Sequence, residues 1–271
     1  EAFGAIEQDN VGSLVCRSGE GGPRIMLAAH LDEIGLMVSH ITEDGMLRFV
    51  PLGGWWAQVL LGQRVVVKSC RGDLRGVIGA KPPHLLPQED RKKVVELKEM
   101  YIDIGAASKA QVETAGVRPG DPVVPDAAFT PLLDGSVYLG KAFDDRVGLA
   151  LVIETMRHFA EAPHPNILYG SATVMEEVGL RGAKTCADLV DPDAAIVLEI
   201  DFCGDVPGIK PEESSVKLGG GPSLVLIEAR MIPNLRFRDL AIDTARELDI
   251  PLQFSAWLGG ATDGGQIHLH K

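Results

Sequence analysis

Short apolar runs alternate with amphipathic helical segments near both ends of this chain, and this alternation limits the folds that it can adopt. Helical periodicity, with an apolar stripe and a charged face, covers residues 145–159 and 235–248. Short runs that are apolar throughout are typical of strands covered on both faces. We predict such strands at 24–29, 34–39, 167–175, 195–198 and 224–227. The pattern predicts an α/β domain with a largely buried sheet.

The middle of the chain has a different pattern. Short β-branched runs at 64–68, 74–78 and 100–104 are separated by turns rich in Gly, Pro and Asp, with a helical stretch predicted at 90–99. We therefore predict a small, mostly β domain over residues 41–133. It is inserted into an α/β domain formed by residues 1–40 and 134–271.

Charge and hydropathy exclude several partners. A net charge of -12 repels phosphate backbones, so we expect no nucleic-acid partner. The longest apolar runs, such as 148–153, are far shorter than the roughly 18 residues that a membrane helix needs. No cationic, apolar leader opens the sequence, and its cysteines are widely spaced. We expect a cytoplasmic protein whose thiols are reduced; the cysteines are Cys16, Cys70, Cys186 and Cys203.

A histidine and an aspartate directly follow the first predicted strand. His30 ends the apolar run, and Asp32 lies two residues on, on the same face of an extended chain. The Asp32 carboxylate can then accept a hydrogen bond from one imidazole nitrogen while the other nitrogen binds a metal. A lone histidine after a strand is more often structural, so both interpretations stay open at this point.

Paired aspartates precede the long helix predicted at 145–159. Asp144 and Asp145 suit the N-terminus of a helix, where a carboxylate accepts hydrogen bonds from free backbone N–H groups. Capping alone explains such a pair. Alternatively, one carboxylate caps the helix and the other bridges two cations.

Acidic residues also end two other predicted strands. Glu176 and Glu177 follow one strand, and Glu199 and Asp201 follow another. Because open α/β sheets bind ligands at the carboxyl ends of their strands, these carboxylates and His30 are candidates for one site. In each acidic pair, one member can bind a metal. Mixed imidazole and carboxylate ligands suit zinc, cobalt or manganese.

Six motifs resemble those of one known family. The segments AAHLDEIGLMV, GKAFDDRVGLA, TVMEEVGLRGAKT, GDVPGIKPEE and GGATDGG occur in the family's order, and GVIGAKPPHLL lies in the inserted domain. The chain resembles the TET-type aminopeptidases, self-compartmentalising metallopeptidases with two catalytic metals. Some members are called glutamyl or deblocking aminopeptidases, and others endoglucanases. The resemblance implies a three-layer αβα peptidase domain with an inserted dimerisation domain.

The resemblance also implies roles for individual residues. His30 looks like a ligand of one metal, with Asp32 as its orienting partner. Asp144 looks like the carboxylate that bridges both metals. Glu176 looks like the general base, and Glu177 like a ligand of the second metal.

The chain departs from the family at two places. Glu199 falls where many relatives carry a ligating aspartate, and we favour it over Asp201 as the ligand. Relatives also continue beyond the position of Lys271 and supply a last histidine ligand. His268 and His270 match a helix start in the family and not that ligand. We therefore expect the sequence to be truncated or partly disordered there, with the second metal held weakly.

The resemblance implies an aminopeptidase that removes N-terminal residues from peptides with two divalent ions, Zn or Co, with Mn an alternative. Its dimers would assemble into a tetrahedral dodecamer. Thr262 and Asp263, in a Gly-rich loop, would line the substrate pocket or simply form a turn. A glycoside hydrolase also needs paired carboxylates and is the rival enzyme class. A degenerate scaffold or binding subunit is the rival without catalysis.

Overall fold

The structure, a computed structural model, describes residues 4–270 and divides the chain into two compact units. One unit comprises the residues up to Asp32 together with those from Phe143 onward, and the other comprises Glu33–Ala142. The boundaries predicted after residues 40 and 133 differ from these by several residues. The reason is that the run at 34–39 forms a strand of the second unit, and an apolar run does not itself say which sheet it joins.

The strands of the described residues are short, and the helices are few. In chain order the strands are β1 (Ile6–Gln8), β2 (Leu14–Ser18), β3 (Arg24–His30), β4 (Gly35–Ile41), β5 (Leu47–Leu52), β6 (Arg64–Ser69), β7 (Gly72–Gly79), β8 (Tyr101–Asp103), β9 (Pro122–Pro125), β10 (Thr130–Leu132), β11 (Val137–Leu139), β12 (Ile167–Thr173), β13 (Ala194–Val197), β14 (Ser223–Ile227) and β15 (Gln253–Ala256). The α-helices are α1 (Lys109–Thr114), α2 (Phe143–Glu161), α3 (Arg181–Val190), α4 (Leu235–Glu247) and α5 (Gly264–Ile267).

The first unit contains a five-stranded sheet in the order β1-β2-β12-β3-β13. β3 runs parallel to both β12 and β13, whereas β2 is antiparallel to β12. Consecutive side chains of β3 point to opposite faces. Met26 and Ala28 pack in the same cluster as residues of α3 and α5, whereas Leu27 and Ala29 pack with residues of α2. Helices therefore cover both faces, and the predicted α/β class is confirmed.

Most predicted elements of this unit have close counterparts in the structure. β12 ends at Thr173, two residues before the predicted end, since the backbone turns at Met175 with a φ of 58°. The run at 224–227 is within β14, but β14 pairs with β15 in a separate two-stranded parallel sheet. No helix of residues 4–270 has the length and apolar character needed to cross a membrane.

The second unit contains a closed barrel in the order β4-β5-β8-β7-β6-β9 and a separate antiparallel pair, β10-β11. Its core is apolar, and Leu47, Val67, Ile102 and Val112 are fully buried. The predicted helix at 90–99 was wrong. That segment forms two 3-10 turns, separated by extended backbone around Val94 and Val95. β-branched residues favour extended backbone, which explains the interruption.

Candidate metal centre

The parallel strands of the first unit bring three chain segments to one edge of the sheet. His30 is the last residue of β3 and pairs with Thr173, the last residue of β12. Val197 ends β13 beside Ala28, so that Glu199 follows at the same edge. Because parallel strands end on the same side, residues 30, 176 and 199 converge although they are far apart in sequence.

His30, Asp144 and Glu199 form a group whose ligand atoms all lie within 4.8 Å of one another. The Nε2 atom of His30 is 2.7 Å from Asp144 Oδ1 and 3.6 Å from Glu199 Oε2. Glu176 Oε2 lies 4.0 Å from the same nitrogen. The structure thus brings together four of the predicted residues at one edge of the sheet.

The imidazole of His30 is oriented by a backbone carbonyl. Its Nδ1 atom lies 3.1 Å from the carbonyl oxygen of Asp32, whereas the nearer carboxylate oxygen of Asp32 is 3.7 Å away. A carbonyl only accepts hydrogen bonds, so Nδ1 donates to it, and Nε2 faces Asp144 and Glu199. The predicted hydrogen bond to the Asp32 carboxylate is not observed, because β3 ends at His30 and the extended geometry does not reach Asp32.

The Asp32 carboxylate instead holds the turn that carries the two glutamates. It accepts hydrogen bonds from the backbone N–H of Glu176, at 3.1 Å, and of Glu177, at 3.3 Å. Both contacts join the end of β3 to the segment after β12. Asp32 therefore positions Glu176 through the backbone and not through the imidazole.

The two aspartates before the helix have different environments. Asp145 is fully buried and accepts hydrogen bonds from the backbone N–H of Gly148, at 3.0 Å, and of His30, at 3.2 Å. Asp144 is half exposed and lies beside the imidazole. The peptide bond between them is cis. A Cβ at position 148 would lie 2.5 Å from both Asp145 carboxylate oxygens, so only glycine fits there. Asp145 caps the helix, and Asp144 joins the cluster.

Burial and mutual repulsion shape the charges of this cluster. Burial alone would lower the pKa of His30, but the hydrogen bond to Asp144 and the charges of Glu199 and Glu176 raise it to about 10. Burial raises the pKa of Glu176 to about 8, with Asp263 and Glu177 adding to the effect. Burial and the charge of Asp145 also raise the pKa of Glu199. The carboxylates around His30 thus outnumber the positive charges that could compensate them.

Glu177 and Asp201 lie outside the group of three. Glu177 follows Glu176 directly, and its charge contributes to the raised pKa of that neighbour. Asp201 accepts a hydrogen bond from Ser223 Oγ, at 2.6 Å, and another from the backbone N–H of Phe202. Of the two acids after β13, the structure places Glu199 beside His30 and leaves Asp201 bound to Ser223.

The Gly-rich loop near the C-terminus is buried. Asp263 is 1% exposed, accepts a hydrogen bond from Thr173 Oγ1, and has a pKa raised to about 6 by burial. Thr262 donates its backbone N–H to Glu228 Oε2, at 2.6 Å. That Thr262 and Asp263 line the substrate pocket stays a prediction.

The sequence analysis missed two buried acids. Asp145 accepts a hydrogen bond from the backbone of His30 at the end of β3. Glu228 is buried directly after β14, so the pattern of an acid at a strand end could have found it.

The two histidines close to the C-terminus bind elsewhere. His268 Nδ1 contacts the carbonyl oxygen of Gly264 at 2.8 Å. His270 lies between Asp188 and Asp191, at 3.3 and 3.1 Å. Neither belongs to the group around His30.

Comparison with known proteins decides the family. The M42 glutamyl aminopeptidase family matches residues 12–271. The chain belongs to the M42 family. It is 43% identical over 266 residues to FrvX of Escherichia coli K12, a match that covers 97% of this chain and 74% of FrvX. M42 membership makes the chain a metallo-aminopeptidase, a hydrolase, and confirms the resemblance to TET-type enzymes.

Two solved structures of TET-type relatives are similar over essentially the whole chain. A TET aminopeptidase from a marine-sediment Thaumarchaeota archaeon is 50% identical, with a TM-score of 0.97, over 100% of this chain and 76% of the other. The TET1 peptidase of Pyrococcus horikoshii is 34% identical, with a TM-score of 0.89, over 99% and 79%. TET1 assembles into a tetrahedron or a large octahedral shell. These matches favour neither a glycoside hydrolase nor a degenerate scaffold.

Proposed function

We propose that His30, Asp144 and Glu199 hold one divalent cation, and that Asp144 and Glu177 contribute to a second. The convergence of one imidazole nitrogen and two carboxylates within 4.8 Å, beside Glu176, carries this proposal. The chain would use the site to remove N-terminal residues from peptides.

The donor set fits a divalent cation. Nitrogen and oxygen donors of this mixture suit zinc or cobalt best, with manganese as an alternative. Carboxylates whose pKa values are raised by burial and by one another gain a compensating charge when a cation binds. The carbonyl of Asp32 fixes the imidazole so that Nε2 remains available to a cation.

Each residue has a distinct task in the proposed hydrolysis. Bound cations of this kind polarise a carbonyl and lower the pKa of the attacking water. Glu176 takes the proton from that water and delivers it to the departing amine. Its position depends on Asp32, which accepts the backbone N–H of Glu176. Burial raises the pKa of the Glu176 carboxyl, and bound cations would lower it again and so favour the carboxylate form that accepts the proton.

We also propose an assembly and a location. The TET1 relative forms closed shells, which supports a homo-oligomer, with the barrel unit as a dimerisation domain and a tetrahedral dodecamer as the assembly. All four cysteines are free thiols, which supports the reducing cytosol as the location.

The decisive experiment replaces Glu176 by glutamine. Glu176→Gln keeps the size of the side chain but removes its basicity, so we expect kcat to fall by at least about 100-fold. Metal content, measured by elemental analysis, should stay at the wild-type level. Glu154→Gln, at an exposed position of α2, is the matched control and should retain full activity. Wild-type turnover by Glu176→Gln would remove Glu176 as the general base.

A further inference from the structure

A buried hydrogen bond joins the Gly-rich loop near the C-terminus to the sheet edge that carries the candidate metal centre. Asp263 accepts the hydroxyl proton of Thr173, and the two residues are 1% and 0% exposed. Thr173 is the last residue of β12 and pairs with His30, the last residue of β3. Its hydroxyl also lies 3.2 Å from the carbonyl oxygen of Ala29. A loop 90 residues further along the chain therefore holds the end of β12 at the point where His30 enters the centre.

Thr173 begins the short segment that carries Glu176. Its carbonyl oxygen accepts the backbone N–H of Leu31, at 2.7 Å, which ties the end of β12 to the residue after His30. The chain then turns at Met175, with a φ of 58°, and reaches Glu176. Because three residues span at most about 11 Å, a displacement of Thr173 is transmitted to Glu176 with little chain to absorb it.

The other contacts of this segment are made by its backbone. Gly182 donates its backbone N–H to the carbonyl oxygen of Val174, at 2.9 Å. Arg181 donates to that of Met175, at 3.1 Å. Among residues 173–175, only Thr173 has a side-chain hydroxyl. That hydroxyl therefore supplies the side-chain hydrogen bonding by which the segment is fixed.

Aspartate is rarely as buried as Asp263. The residue stands at the N-terminus of α5, but its side chain makes no capping hydrogen bond there. Its second oxygen, Oδ1, is buried without a hydrogen-bond partner among residues 4–270. Burying a carboxylate costs free energy unless partners compensate for the lost water. Helix capping therefore does not explain this acid, and its observed partner is the hydroxyl at the end of β12.

We propose that Asp263 and Thr173 position the general base. Their hydrogen bond fixes the end of β12, so that the turn after it places Glu176 beside His30. This inference rests on the proposed role of Glu176 in the aminopeptidase reaction. Both residues act through the backbone that leads to Glu176, and this role needs no contact with substrate or cation. Displacing a reacting group by 1 Å costs on the order of 100-fold in rate, so loss of this anchor should lower kcat.

Variants of both partners test the anchor on the full, metal-loaded chain. Thr173→Val keeps the shape of the side chain and removes its hydroxyl, and Asp263→Leu removes the acceptor. We expect each to lower kcat by about tenfold, with KM and the metal content within about twofold of the wild type. Thr173→Ser keeps the hydroxyl donor and should retain at least about half of kcat. Wild-type kcat in Thr173→Val or in Asp263→Leu would overturn the inference.

Thr185→Val is the matched control. Thr185 donates to Asp9 Oδ2, at 2.5 Å, and this second threonine–aspartate pair joins α3 to the loop between β1 and β2. Its loss should lower stability without lowering kcat. The double variant Thr173→Val/Asp263→Leu leaves no unpaired carboxylate, so its Tm should exceed that of Thr173→Val while its kcat stays about tenfold below the wild type. Recovery of kcat together with Tm would show that the pair serves only stability, against the inference.

A double-mutant comparison separates this inference from the proposed function. In the Glu176→Gln background, Thr173→Val should change kcat by less than about twofold, because the base that it positions is already lost. An equal fall of kcat in both backgrounds would refute the positioning role and leave Glu176 as the base. Wild-type turnover by Glu176→Gln would refute the proposed base alone.

Crystal structures of the metal-loaded wild type and Thr173→Val give an answer that does not depend on turnover. Glu176 Oε2 lies 4.0 Å from His30 Nε2. We expect Thr173→Val to displace the Glu176 carboxylate by at least about 0.5 Å, the tolerance of a catalytic group. Thr185→Val should leave it in place. An unmoved Glu176 in Thr173→Val would overturn the inference, whatever the activity.

Discussion

The barrel unit and the α/β unit differ in what they bury. Among the described residues, every buried polar or charged side chain belongs to the α/β unit, including His30, Asp145, Glu176, Glu228 and Asp263. The barrel buries an apolar core and closes its sheet without free edges. Burying carboxylates costs stability unless they find partners or a cation. The difference indicates that the barrel interior serves folding, whereas the α/β interior retains groups for chemistry.

The largest expected effect is the loss of Asp144. Asp144→Ala removes the carboxylate beside His30 and the proposed bridge between two cations. We expect bound metal to fall below detection in elemental analysis and kcat/KM to fall by at least about 1,000-fold. Asp73→Ala, at an exposed barrel position, should alter neither quantity. Full metal content in Asp144→Ala would show that the cation binds elsewhere.

The second effect concerns the barrel core. Ile102 is fully buried in β8, so Ile102→Ala should lower the free energy of unfolding by about 2–5 kcal/mol through lost burial and the cavity that remains. Urea denaturation measures this loss. At temperatures well below the transition, the metal content should be unaffected. A loss below about 1 kcal/mol would show that the barrel interior is not closely packed there.

The third effect is the pH dependence of the metal-free protein. Glu176 has a folded pKa of about 8, above its ordinary 4.5, and His30 one of about 10, above its ordinary 6.5. At any pH between a group's ordinary pKa and its folded pKa, the folded state keeps a proton that the unfolded state has lost. The free energy of unfolding therefore falls as pH rises through that range. Denaturation in chelator should show a loss of about 1.4 kcal/mol per pH unit from Glu176 between pH 5 and 8, with a similar further loss from His30 only above pH 6.5.

Glu176→Gln supplies the control for that slope. It removes one of the groups whose pKa is raised in the folded protein, so the decline between pH 5 and 8 should become shallower. Adding zinc at pH 8 should restore the stability of the wild type, because the cation binds the deprotonated groups. A metal-free wild type whose stability rises with pH over this range would contradict the description of the cluster.

The convergence of residues at the candidate metal centre could be predicted in part from strand ends. His30, Glu176 and Glu199 each follow an apolar run, and parallel strands bring such ends together. Strand ends alone leave Glu199 and Asp201 both open as ligands, and the family resemblance favours Glu199, which the structure places beside His30 while Asp201 accepts a hydrogen bond from Ser223. These residues were predictable because one local pattern, a run that ends in acid or imidazole, also fixes their place in the sheet.

Other features depend on contacts between distant residues and could not be predicted. The sequence does not show that Asp32 binds His30 through its carbonyl and the glutamate turn through its carboxylate. The run that became β4 resembles a strand of either unit, and only its pairing with β5 and β9 assigns it to the barrel. Similarly, the order of Asp144 and Asp145 does not reveal which of them caps the helix.

Anomalous diffraction from crystals grown with zinc or cobalt tests the central claim most directly. The proposed centre predicts an anomalous peak about 2.0–2.2 Å from His30 Nε2 and from carboxylate oxygens of Asp144 and Glu199. Glu176 should lie next to this peak without being required for it. An anomalous peak elsewhere in the molecule, with no peak between His30 and Asp144, would contradict the proposed metal centre.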